Sequence, residues 1–334
     1  MTIPSKFSFS QPLRVGLVGT GYAAKLRAET LRSHPQAVLF AVAGHTPEKT
    51  QEFSQIYGGQ AVDSWKDLIE NFSLDLVIIC TINRDHGAIV RAALQAGIHV
   101  IVEYPLCLDV SEAESLISLA TAQNKLLHVE HIELMGGVHQ ALKASLPQIG
   151  SVFYARYVTT KPERPASQRW TYHADLFGFP LMGALSRLHR LTDLFGAVTA
   201  VSCQARFWHP EPSSQYYAAC LCTAQLRFQS GLIAEVTYGK GETLWQPERR
   251  FEVHGDQGAL VLTGDQGTLV QADGNHPIEV SGRRGLFAKD TAMVLDHLFK
   301  GEPLYVTPVE SLYTLRVADA ARRSAATGQT IELP

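Results

Sequence analysis

Short apolar runs alternate with amphipathic stretches over the first third of the chain. Residues 14–19 (RVGLVG) are apolar and end in glycine, and the stretch to Ser33 interleaves Ala and Leu with charge; strand, tight turn and helix are predicted in that order. The pattern then recurs. Strands are predicted at Ala37–Ala43, Asp75–Cys80, His99–Glu103 and Leu126–Glu130, and helices at Pro47–Tyr57, His86–Ala96 and Ser111–Gln123. Pro47 suits the first position of its helix. Strands that are apolar on both faces and alternate with helices predict a doubly wound parallel sheet.

Beyond about residue 130 the pattern changes. Helical segments at Gly137–Ser145 and Leu181–Phe195 are interspersed with alternating strands, among them Val152–Val158, Cys220–Phe228 and Leu232–Tyr238. Turns are marked by Ser230–Gly231, Gly255–Gly258 and Gly264–Gly267, and Ser311–Ala325 reads as a C-terminal helix able to pack back across a domain junction. The fold class expected is therefore α/β, with a Rossmann-type parallel sheet over residues 12–130. An α+β domain with a large, mainly antiparallel sheet is expected over residues 131–334.

Composition narrows the function classes. With 334 residues, 46% of them hydrophobic, there is material for two cores, and a net charge of −3 supplies no basic field for nucleic acid or anionic membranes. The opening MTIPSKFSFSQPL lacks an export signal's apolar stretch and later apolar runs are short, so a cytoplasmic protein is expected. Five scattered cysteines without C-x-x-C spacing indicate neither a disulfide framework nor a zinc site.

Candidate chemistry begins at Gly19-Thr20-Gly21-Tyr22-Ala23-Ala24. This G-x-G-x-x-A stands between a strand and a helix, where glycines let the backbone approach a pyrophosphate and the helix N-terminus faces its charge. Dinucleotide binding is the expectation, against an ordinary glycine turn. At the end of the second strand an acid would bond ribose hydroxyls and repel a 2′-phosphate; the chain has Gly44 there, with His45, Thr46 and Lys49 nearby, which favours NADPH over NADH.

Cys80-Thr81-Ile82-Asn83-Arg84-Asp85-His86, then Ala96-Gly97-Ile98-His99-Val100, then Glu103-Tyr104-Pro105 resemble the Gfo/Idh/MocA oxidoreductase family, whose pattern is T-x-N-x-x-H, A-G-x-H-V and E-K-P. The resemblance implies that Thr81, Asn83, His86 and Glu103 lie along the nicotinamide half of the cofactor. The chain departs from the sugar-oxidising members: Tyr104 replaces the lysine, and counting back from Asp193 puts Arg190 and Ser186 where a histidine and an aspartate are found. His189 is one residue, about 100° of helix, out of register. Machinery for taking a proton from a sugar hydroxyl is missing.

E-Y-P is a feature of the biliverdin reductases. Segments such as VGLVGTGYAA (15–24), LHVEHIE (127–133), RWTYH (169–173), ALSR (184–187), YGKGE (238–242) and RRGLF (283–287) resemble the cyanobacterial type of that group, from about residue 12 to about residue 322. The resemblance implies NADPH-dependent reduction of the C10 methine bridge of a tetrapyrrole, biliverdin IXα.

That chemistry needs a face for a planar pigment and a proton source for a pyrrole nitrogen. Arg187 and Arg190, at i and i+3, share one helix face, suited to stacking on the pigment, bonding its lactam oxygens or pairing its propionates. Tyr104 either orients substrate or packs. His128 and His131, with Glu130 and Glu133, alternate on an outgoing strand, His131 sharing a face with Glu133; the alternatives are junction hydrogen bonding and the substrate pocket. Trp170, Tyr172 and His173 form either an aromatic wall for the pigment or core, and Arg283, Arg284 and Asp290 either a propionate-binding cluster or a solvated loop. Two other readings stay open: a family reductase of another carbonyl or imine, with Tyr104 as proton donor, and a non-catalytic nucleotide sensor.

Overall fold

The computed structural model describes residues 12–211 and 213–334; residues 1–11, which carry the expectation about export, lie outside the described residues. The chain divides into two compact units, one running to Ile132 and including Gly285–Leu312, the other made of Glu133–Arg284 and Tyr313–Pro334.

In the first unit β1 (Leu13–Val18), α1 (Tyr22–Ser33), β2 (Ala37–Ala43), α2 (Pro47–Tyr57), β3 (Gln60–Val62), α3 (Trp65–Asn71), β4 (Leu76–Ile79), α4 (His86–Gln95), β5 (His99–Glu103), α5 (Val110–Ala122) and β6 (Leu127–Glu130) follow in order. The six strands pair in parallel as β3-β2-β1-β4-β5-β6. The order reverses between β1 and β4, where a doubly wound sheet binds its ligand. Side chains cap the helices that open in loops: Thr46 accepts from the Lys49 amide, Ser64 from that of Asp67 and Asp109 from that of Glu112. The short β3 and α3 were not predicted, because three and seven residues are too few to establish a period.

The single boundary expected after residue 130 is corrected. Residues 285–312 fold with the N-terminal unit because a helix over Leu286–Lys300 buries Val294, Leu295 and Leu298 in the same core as Leu13, Leu17 and Leu31. The shared face expected for His131 and Glu133 does not hold, although the strand ends where predicted. β6 stops at Glu130, and Ile132–Leu134 is a turn of 3-10 helix, so strand alternation does not apply to those side chains.

The second unit comprises α6 (Gly137–Ser145), β7 (Val152–Pro162), α7 (Ala174–Phe177), α8 (Pro180–Gly183), α9 (Ser186–Phe195), β8 (Val198–Trp208), β9 (Ala219–Phe228), β10 (Ile233–Gly241), β11 (Glu248–Gly255), β12 (Gly258–Thr263), β13 (Gln266–Gln271) and β14 (Gly274–Ile278). Most of a helix over Pro308–Thr327 and β15 (Ile331–Glu332) complete it. Its nine-stranded sheet has the order β14-β13-β12-β11-β7-β10-β9-β8-β15, antiparallel except for β7 and β10. The helix predicted over Leu181–Phe195 is two pieces, since Ala184 leaves the helical region and Gly183 is packed so tightly on Phe177 that a Cβ would lie 2.5 Å from the ring. Among the described residues no helix is long and apolar enough to cross a membrane.

Candidate functional site: a dinucleotide cradle and a cationic cavity

The glycine turn after β1 is dictated by space. Gly19 has φ of +118°, and a Cβ there would stand 2.2 Å from the Cys80 carbonyl oxygen after β4. Gly21 caps α1 with no side-chain hydrogen bond, and a Cβ on it would meet nothing within 4 Å, so the first-turn amides open onto free space. Ala24 is buried, Thr20 and Ala23 are half-buried, and Tyr22 is 74% exposed, its ring edge-on to Phe287 at 6.2 Å. This arrangement fits a pyrophosphate at the N-terminus of α1. At the end of β2, a Cβ on Gly44 would lie 2.4 Å from Thr50 Oγ1 and 2.8 Å from Thr20 Cγ2, so glycine is required there by packing as well as suited to a 2′-phosphate. His45 and Lys49 are exposed beside it, and Thr46 is half-buried and engaged as the α2 cap.

The residues after β4 and β5 are tied together. His86 is buried, with Nδ1 2.8 Å from the Pro105 carbonyl and Nε2 3.3 Å from that of Thr81; burial lowers its pKa, so the ring is neutral and Nδ1 donates the shorter bond. Asn83 is buried in the same turn and Thr81 is half-buried. Glu103 accepts from Arg27 Nε at 2.8 Å, and Tyr104 is stacked on the His131 ring at 5.3 Å with 6° between planes. His131 Nε2 meets Ser311 Oγ at 2.9 Å, and its amide donates to Tyr305 Oη at 3.0 Å. His131 therefore belongs to the first unit with Tyr104, and Glu133 to the second.

Asp290 belongs to the first unit, whereas Arg283 and Arg284 belong to the second. It is buried in the first unit, where it accepts from Arg27 at 2.7 Å and Tyr305 at 2.7 Å and lies 2.8 Å from His128 Nε2. Burial by itself would raise its pKa, but His128 and Arg27 hold the carboxyl well below the usual carboxylate range. Burial, reinforced by Glu103 and Asp290, pushes the Glu130 carboxyl upward. One buried arginine thus serves two carboxylates.

The second unit holds a cavity of about 230 Å³ on the face of its sheet. Register explains the floor: Tyr157, Thr159 and Lys161 alternate along β7, Thr159 and Lys161 lie level with Tyr238 and Lys240 of β10, and Arg249 of β11 lies level with Thr159. Arg187 of α9, Glu133, Glu248 and Arg283 complete the walls. Five basic side chains face two acidic ones, and Glu133 is already clamped between Arg190 and Arg283. Arg187 donates to Ser186 Oγ at 2.8 Å and Thr159 Oγ1 at 3.4 Å, with Cζ 5.4 Å from the Tyr238 ring centre. Burial would raise the Tyr157 phenol, yet Arg190, Arg187 and Arg249 bring it below its ordinary value. Burial draws Lys240 down to about 8.

Of the predicted substrate-domain residues, Arg187 and Arg283 line the cavity. Arg190 is buried outside the lining and positions Glu133. His173 caps α7 and bonds Gln215 at 2.9 Å, Tyr172 donates to Glu163 at 3.2 Å, Trp170 lies against Phe177 at 5.9 Å, and Arg284 is exposed. Asp193 is likewise occupied, 2.7 Å from His139 and 3.1 Å from Lys143. Sequence reasoning missed Tyr157, Thr159, Lys161, Lys240 and Arg249. The signal was present in the polar alternation of 157-YVTTK-161 and the lysine of YGKGE, but strands predicted to end at Val158 and Tyr238 were cut short of it.

Residues 13–131 match the model of an oxidoreductase family with an NAD-binding Rossmann fold, and residues 146–333 match the C-terminal alpha/beta domain of the same family. The structure of biliverdin reductase from Synechocystis sp. PCC 6803, solved with biliverdin and NADP+, is 52% identical, with a TM-score of 0.92 over 94% of this chain and 99% of that one. Human biliverdin reductase A is 31% identical over 189 residues, 56% of this chain and 60% of that protein, so the chain spans about 60% of the length of that curated relative. A 3-ketoreductase from Actinomadura kijaniata, at 22% identity and a TM-score of 0.82, shares the fold. The glycine cradle, the T-x-N-x-x-H and E-Y-P loops and both matched domains place this chain in the Gfo/Idh/MocA oxidoreductase family.

Proposed function

We propose that this protein is a biliverdin reductase of the cyanobacterial type, cytoplasmic and NADPH-dependent, which converts biliverdin IXα to bilirubin. The observation that carries the reading is the 52% identity to the Synechocystis enzyme across nearly its whole length, substrate domain included. NADPH, when bound, supplies the hydride for C10. The chain's own groups hold the dinucleotide and prepare the pigment. Gly19 and Gly21 admit the pyrophosphate to α1, and the Gly44–Lys49 loop, which carries no acid before Glu48, leaves room for a 2′-phosphate.

In the cavity Arg187 has a fixed bearing, set by Ser186, Thr159 and the Tyr238 ring. A guanidinium is a poor outright acid, with a pKa above about 12. Its part is to hold the tetrapyrrole by lactam or propionate oxygens and to stabilise charge as it passes to the pyrrole nitrogen. Tyr157, a buried phenol among three guanidiniums, gives the same cavity a hydrogen-bond donor. The test is direct: protein, NADPH and biliverdin are mixed and the visible spectrum followed. Biliverdin absorption should give way to the bilirubin band, faster with NADPH than with NADH; no conversion between about pH 5 and 9 would overturn the reading.

A further inference from the structure

Lys240 is a buried ammonium held by rings. Its Nζ donates to the Thr171 carbonyl and lies 4.1 Å from the centre of Phe177, 4.5 Å from Tyr172, 5.4 Å from Tyr217 and 6.0 Å from Tyr238. The contacts come from separate parts of the unit: Thr171 and Tyr172 from the loop before α7, Phe177 from α7, Tyr217 from the approach to β9 and Tyr238 from β10 itself. A desolvated cation is attracted to the faces of aromatic rings, so the ammonium draws these pieces together. Lys240 also lines the cavity, and the Tyr238 ring is shared with Arg187, whose Cζ lies 5.4 Å from its centre.

We propose that Lys240 is a positioning residue for the cavity's ligand: as an ammonium it packs the aromatic floor and fixes the Tyr238 ring against Arg187, and without its charge the cavity loses grip on a planar dicarboxylate. The inference rests on reading this cavity as the pigment site. The charged and titratable groups around Lys240 are Cys220 of β9, Glu163 and Lys161 at the end of β7, and Arg187 of α9, with the phenols Tyr172, Tyr217 and Tyr238. Burial moves both Cys220 and Tyr172 upward, so Lys240, at about 8, loses its charge before either. The pigment's carboxylates, with ordinary values near about 4, stay ionised throughout that range.

Wild-type protein, Lys240→Arg and Lys240→Met are titrated with biliverdin without NADPH from about pH 6.5 to about 9.5, and the near-UV circular dichroism of each is followed without ligand. In the wild type Kd should weaken about tenfold through a transition centred at about 8, accompanied by a near-UV change from the tyrosines. Lys240→Met should bind about tenfold more weakly at neutral pH and show neither transition, whereas Lys240→Arg should keep tight binding to the top of the range. A Met variant with the wild-type profile, or an Arg variant no better than Met, would overturn the proposal. Wild-type protein that binds no biliverdin at any pH would instead overturn the functional reading. The ligand-free spectra then decide: a near-UV transition present in the wild type and lost in both variants supports the hold on the floor, and one shared with Lys240→Met removes Lys240 from that role.

Discussion

Arg187 and Arg190 lie nearly one turn apart on α9 and have different partners. The buried Arg190 spends its guanidinium on Glu133, while Arg187, half-buried, reaches the cavity over Tyr238. The difference makes Arg187 the residue whose loss is felt by the pigment. Arg187→Ala should lower kcat/KM for biliverdin about a hundredfold, about 3 kcal/mol of transition-state stabilisation, with NADPH affinity unchanged. Arg187→Lys keeps the charge but cannot reproduce the planar fork that meets Ser186 and Thr159 together, so it should lie nearer to Ala than to wild type. Steady-state kinetics with a parallel NADPH titration check both; wild-type turnover in Arg187→Ala would remove it from the mechanism. Gly44 shows how one residue answers two demands. The charge argument explains why no acid stands there, but Thr50 and Thr20 leave no room for any Cβ, a constraint that no single sequence displays.

At the scale of elements, the Leu286–Lys300 helix joins the parallel sheet through one carboxylate as much as through its leucines. Asp290 on that helix meets Arg27 of α1, and Arg27 reaches Glu103 at the end of β5. Breaking a buried pair leaves a charge uncompensated, so Asp290→Asn should cost about 3 kcal/mol and lower the Tm of the first unit. The pH dependence follows from the sign of the shift. Asp290 has a depressed folded pKa, so its contribution is present above the unfolded value of about 3.9 and is lost as pH falls below that toward the folded one. Thermal unfolding of wild type and Asp290→Asn should therefore differ most above about pH 5 and converge in stronger acid. A gap that stays constant at all pH values would show that the ionised carboxylate is not what Asp290 contributes.

At the scale of the molecule, the first unit is discontinuous in sequence, and its N-terminal segment is short of a core-forming helix. A fragment ending at residue 132 would expose the surface that Val294, Leu295 and Leu298 cover and leave Arg27 without Asp290. It should unfold without a cooperative transition, whereas the same fragment joined by a flexible linker to residues 285–312 should melt cooperatively; equal cooperativity in circular dichroism melts would refute the dependence. Periodicity and glycine placement in the sequence determined the five longer strands of the first sheet, the G-x-G-x-x-A turn and the strands of the second sheet up to Val158 and Tyr238, because these follow from side-chain alternation and local φ requirements. They did not determine that 285–312 belongs with the first sheet, since an amphipathic helix carries no address for the surface it covers. Nor did they show that Asp290, read beside Arg283, answers Arg27 instead, or that Thr159, Lys161 and Lys240 prolong their strands into a cavity floor. Polar residues at a strand's end look like its termination from the chain alone. Only the tertiary structure decides, because it supplies the register of β7, β10 and β11 and the partners that make buried charge tolerable.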